Sequence, residues 1–119
     1  MNTSIVRIKT YNGSRQDLEH YKGYPVINHE FEILNDDGSD FDFTGEQGIW
    51  FKIFQKQHGT LVDTFSKANG NISRSSNVIT VSVDAAYLNL RPKEYYQELY
   101  WVNADDENDL IFHGIYAFI

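Results

Sequence analysis

The chain has no cysteine, which removes disulfide staples, zinc thiolates and thiol nucleophiles from consideration. That fits synthesis in a reducing cytosol. Basic residues are scarce: ten Lys and Arg stand against seventeen Asp and Glu, a formal charge of −7. Phosphate backbones and anionic membrane surfaces both call for clustered cations, so neither nucleic acid nor membrane is an expected partner. No apolar run approaches the roughly 20 residues of a spanning helix. The opening Met1-Asn-Thr-Ser-Ile-Val-Arg7 lacks the basic segment and long apolar stretch of a signal peptide. A soluble, unanchored chain is expected. No long period repeats and no low-complexity linker divides the 119 residues, so one domain, 1–119, is predicted.

Aromatic residues, by contrast, are abundant: eight Tyr, eight Phe and two Trp. They fall in short alternating runs separated by turn residues, the pattern of strands with one buried face. Ile5–Tyr11 reads as an edge strand stopping at Asn12-Gly13. The polar stretch from Ser14 to Lys22 reads as a loop with one helical turn. Val26–Leu34 is a strand with Ile27, His29, Phe31 and Ile33 on its apolar face. Ile49–Lys56 and Thr60–Phe65 form a hairpin, with Trp50 and Phe54 opposite Ile49, Phe51 and Ile53. Ile72 and Val78–Val83 read as one strand. Asp84 to Leu90 reads as a short connecting helix, with Asp84 as N-cap and Arg91-Pro92 as its stop. Two long runs close the chain. Glu94–Asn103 places Tyr95, Gln97, Leu99 and Trp101 on one side and Tyr96 and Tyr100 on the other. Leu110–Ile119 is apolar on both faces, as expected for a strand covered twice. About seven or eight strands and one short helix predict an all-β fold, an immunoglobulin-like antiparallel β-sandwich. The likeness is architectural, because the Cys–Trp–Cys pattern of antibody domains is missing.

Motifs that carry chemistry are few. Histidines stand at 20, 29, 58 and 113, never at metal-ligand spacing; His29, on an apolar strand face, reads as a hydrogen-bonded core residue, with His113 a candidate neighbour. Asn35 to Glu46 begins like a calcium loop but carries Gly38 at the wrong position, so a solvated turn is the expectation. Glu30, Glu32 and Glu98 are strand carboxylates with no visible pairing into a glycosidase couple. No nucleophile elbow or phosphate-binding glycine loop occurs. Neither cofactor nor enzymatic activity is expected.

The order of features nevertheless has a precedent. A strand ending in Asn35-Asp-Asp-Gly38 leads to Phe41-Asp-Phe-Thr-Gly45, an apolar strand from Ile49, Gly70-Asn-Ile72 and Asn77-Val-Ile-Thr-Val81. An Ala-Ala-x-Leu-x-Leu connector then precedes Tyr95-Tyr-Gln-Glu-Leu99 and a final Leu-x-x-x-Gly-x-Tyr strand. From Pro25 to Ile119 this resembles the small β-sandwich domains of tailed-phage and prophage structural proteins, especially the N-terminal domain of baseplate upper proteins. The resemblance implies a non-enzymatic virion component, made in the bacterial host cytoplasm, that assembles with other virion proteins and with itself. Baseplate upper proteins usually continue beyond this domain, whereas this sequence stops at Ile119. The expected interface comprises Trp50, Phe54, Tyr96, Tyr100, Ile115 and Ile119. The alternative is a carbohydrate-binding module that stacks sugars on exposed aromatics.

Overall fold

The computed structural model describes residues 3–21, 23, 26–84 and 93–119. Ten strands run through them: β1 (Thr3–Tyr11), β2 (Ser14–Arg15), β3 (Leu18–His20), β4 (Val26–Leu34), β5 (Gly48–Phe54), β6 (Leu61–Ser66), β7 (Ile72–Ser75), β8 (Val78–Asp84), β9 (Lys93–Val102) and β10 (Asn108–Phe118). Sheet A has the order β1-β4-β8-β7 and sheet B the order β2-β10-β9-β5-β6, with β3 also paired to β10.

Period-two alternation decides which side of each strand is closed. Ile27, His29, Phe31 and Ile33 of β4 are buried, as are Ile49, Phe51 and Ile53 of β5 and Tyr95, Gln97, Leu99 and Trp101 of β9. The inward sets of the two sheets meet in one cluster. Phe31 lies edge-on to Phe112 of β10 at 4.8 Å between ring centroids, and Phe51 lies 6.0 Å from Tyr116. Each fully buried Phe contributes roughly 1.5–3 kcal/mol of apolar transfer. The fold is all-β, and its two sheets enclose this core in a sandwich-like arrangement.

Several expectations need correction. The sheets are mixed rather than antiparallel: β1 runs parallel to β4 from Thr3↔Val26 to Tyr11↔Leu34, and β2 and β3 run parallel to β10. Parallel neighbours need a crossover instead of a hairpin, and here the chain leaves β1, runs along sheet B as β2 and β3, and returns as β4. The stretch read as a loop therefore holds two strands, closed by buried Leu18 and His20 around exposed Glu19. Ile72–Val83 is a hairpin, not one strand; it turns at Ser76, with φ of 55°, and buried Asn77 donates its Nδ2 to Ile33 O at 2.9 Å. The described residues thus hold ten strands instead of the seven or eight expected. Asp84 closes β8, and the rest of the expected helix lies outside the described residues.

β10 also departs from simple alternation. A bulge between Leu110 and Phe112 turns both Ile111 and Phe112 inward and leaves Leu110 exposed. Beyond it Gly114, Tyr116 and Phe118 are buried, whereas His113, Ile115 and Ala117 are only half-buried, so the outer face lacks the full cover expected. At Gly114 the chain between β2 and β3 presses close: a Cβ there would lie 2.5 Å from Gln16 O. Gln16 N–H donates to His113 O, and Asp17 Oδ1 accepts the Ile115 N–H at 2.9 Å, so a side chain completes the ladder across the break between two strands. That backbone donor, aided by Arg15 and opposed by burial, holds Asp17 below its usual carboxylate range.

Candidate interaction face of sheet B

The outward positions of sheet B line up in three rows because its strands pair in register. Trp50 stands beside Tyr100, and Tyr100 beside Leu110. In the next row Lys52 stands beside Glu98, Glu98 beside His113, and His113 beside Arg15. In the third, Phe54 stands between Leu61 and Tyr96, and Tyr96 beside Ile115. One charged row thus separates two apolar ones. Leu61 and Leu110 are 47% and 41% exposed, and Trp50, Phe54, Tyr100 and Ile115 are half-buried.

Tyr96 differs from the other expected interface residues in being buried, with Phe54 at 6.1 Å and His113 at 6.0 Å between ring centroids. Its hydroxyl donates to Glu98 Oε2 at 3.3 Å. Burial first, then the Glu98 charge, raises its phenol above the ordinary value. Tyr96 forms the floor of the third row rather than its rim. Ile119, just past β10, is 51% exposed. Lys52 Nζ sits 5.3 Å from the centre of the Tyr100 ring. Although Lys52 and Glu98 are direct cross-strand neighbours, they are absent from the ion pairs formed among the described residues.

The other candidates are dispersed. His29 is hydrogen-bonded in the core as expected, its Nε2 2.7 Å from Tyr116 Oη. Its neighbour is His20 rather than His113: His20 Nδ1 lies 3.2 Å from the same hydroxyl, and the two imidazole centroids are 6.4 Å apart. This cluster ties β3 and β10 of sheet B to β4 of sheet A. Burial, followed by the proximity of His20, lowers the His29 pKa to about 3, and burial pushes the Tyr116 phenol well up. Glu30 and Glu32 face out of sheet A beside Arg7, whereas Glu98 faces out of sheet B, with the core between them.

Within Asn35–Glu46, Asp37 Oδ1 accepts from Ser39 and Asp42 Oδ1 from Thr44, while Glu46 Oε1 takes Lys67 Nζ at 2.7 Å and Arg74 Nε at 3.0 Å. Those carboxylates serve turns and ion pairs. Among the described residues, no cluster of three His, Asp or Glu is arranged to hold a metal. An open hollow of about 570 Å³ borders Trp50, lined also by Gln47, Ser66, Lys67, Val102 and Asp106. Gln47 Nε2 already donates to Asn103 O and Ala104 O, Lys67 is held by Glu46, and Ser66 Oγ accepts the Asn69 N–H.

Single-strand patterns miss His20, Leu61 and Leu110. The alternation Leu18-x-His20 was the available signal for the first; the leucines join the face only through register between strands. Comparison with known proteins finds no matching family model and no matching curated protein.

Proposed function

We propose that this chain is a non-enzymatic assembly domain that acts through the outer face of sheet B. The observation that carries the reading is the pair of apolar rows in register on that face, partly open to solvent and centred on Trp50, Phe54 and Tyr100. Aromatic side chains in such positions are the usual anchors of protein interfaces, since they offer large contact area at little entropic cost. The hollow beside Trp50 supports a carbohydrate platform less well, because most of its polar groups already bond within the chain.

The fold we assign within this reading is an immunoglobulin-like sandwich. The order β1-β4-β8-β7 beside β10-β9-β5-β6 supports it, since it follows the A-B-E-D and G-F-C-C′ pattern of that architecture. The parallel β1·β4 pair is its departure. The setting we propose, a phage or prophage tail with other virion proteins as partners, rests on the sequence resemblance from Pro25 to Ile119.

Immunogold labelling of particles released from producing cells tests the assignment. Label at the tail, lost on introducing Trp50→Glu with Tyr100→Glu, is the expected result. Unlabelled particles, together with glycan binding that Trp50→Ala abolishes, would replace it with the carbohydrate reading.

A further inference from the structure

We infer that the outer face of sheet B pairs with the same face of a second copy, about a twofold axis that runs along the strands between β5 and β9. This rests on the assembly reading and names its partner. A twofold interface must be complementary to itself. For two sheets stacked face to face with their strands aligned, the axis lies in the plane between them, along the strands or across them. An axis across the strands, through the charged row, sets Lys52 against Lys52 and Glu98 against Glu98. An axis along the strands keeps each row opposite its own row and exchanges β5 with β9. It sets Lys52 of one copy against Glu98 of the other, twice, because those residues are register partners.

The flanking rows obey the same operation. Trp50 meets Tyr100 of the other copy on one side, and Phe54 meets Tyr96 on the other. Exchange of the outer strands brings exposed Leu61 to half-buried Ile115. The charges are also available: Lys52 rests over the Tyr100 ring, Glu98 accepts from Tyr96, and the two form no ion pair with each other among the described residues. Four strands about 4.8 Å apart, matched over roughly 20 Å of length, give a small interface of the weak, concentration-dependent class.

Sedimentation velocity from about 1 to 200 µM at physiological salt tests the inference, the upper limit being set by that weak class. The intact chain should pass from monomer to dimer within this range. Lys52→Glu alone and Glu98→Lys alone each place like charges across the axis and should weaken self-association at least about tenfold. An equimolar mixture of the two variants should recover it, since each then supplies the charges the other needs, and the double exchange in one chain should recover it too. Thermal melting of each variant checks that folding is intact. An intact chain that stays monomeric, or single variants that dimerise as before, would overturn the twofold pairing. If such a chain still labels the tail, the assembly reading stands without it; if the intact chain dimerises as described but particles stay unlabelled, the pairing stands and the tail assignment falls.

Discussion

Trp50 and Trp101 sit on neighbouring strands one position apart in register, Ile49 pairing with Trp101 and Trp50 with Tyr100. Trp101 is 6% exposed, with Phe41 and Phe43 edge-on at 5.7 and 5.1 Å between ring centroids. Its Nε1–H is buried and has no hydrogen-bond partner among the described residues. Trp50, on the other face, is half-buried and borders open solvent. Residue type is the same and the sheet is the same. A shift of one position separates a closed aromatic core from an open aromatic face, and the abundance of aromatics alone does not distinguish them.

The contrast can be broken by stability measurements. Phe31→Ala should cost about 3–5 kcal/mol by urea unfolding, because it empties a fully closed site. Trp50→Ala should cost less, about 1–2 kcal/mol, because its ring is only partly removed from water. Similar costs would mean that the outer face is as closed as the inner one.

Acid sensitivity sharpens the same contrast. The folded-state pKa of His29, lowered to about 3, lies below that of an unfolded histidine, so folding favours the neutral ring. Its contribution is complete above about pH 6.5 and is lost at about 1.4 kcal/mol per unit as pH falls toward the folded value. Between about pH 6.5 and 4.5, above the range of ordinary carboxylates, His29→Gln should flatten the slope of unfolding free energy against pH. An unchanged slope would place the acid response elsewhere.

Two smaller effects test how the core is sealed at its margins. Gly114→Ala forces a Cβ against Gln16 O and Asp17 Oδ1 and should lower stability by about 1–3 kcal/mol, with faster hydrogen exchange at the Ile115 amide as the local readout. Glu46→Gln weakens the charge-assisted bonds to Lys67 and Arg74 and should cost about 1–2 kcal/mol. Burial raises the Glu46 pKa, but those two cations and their hydrogen bonds outweigh it and leave the net value low. The ionised group therefore stabilises above the unfolded carboxylate pKa and loses that effect as pH falls through the folded one, so the cost of Glu46→Gln should shrink in acid.

Strand faces were legible wherever alternation ran long enough. β4 and β5 repeat it over at least seven residues and β9 from Gln97 to Val102, so their inward sets and the outward Trp50, Phe54 and Tyr100 follow directly, whereas buried Tyr96 breaks the pattern. β2 and β3 are two and three residues long, too short to carry a period, and they exist because β10 offers a free edge. The bulge in β10 inserts a single residue and reverses the phase of Leu110 relative to Phe112, which no periodic reading anticipates. The His20–Tyr116 contact joins residues 96 positions apart, and the alignment of Leu61 and Leu110 with the aromatics depends on pairing between strands. Those features belong to register, and register is set only when the sheets assemble.

The two tryptophans report directly on whether the outer face of sheet B is open. Trp101→Phe leaves Trp50 as the only indole, and Trp50→Phe leaves Trp101. Acrylamide quenching should be strong for Trp50 at low protein concentration and fall as concentration rises and the outer face is covered. For Trp101 it should be weak throughout. Equal protection of both, or quenching of Trp50 that ignores concentration, would contradict an open outer face that closes on a second copy.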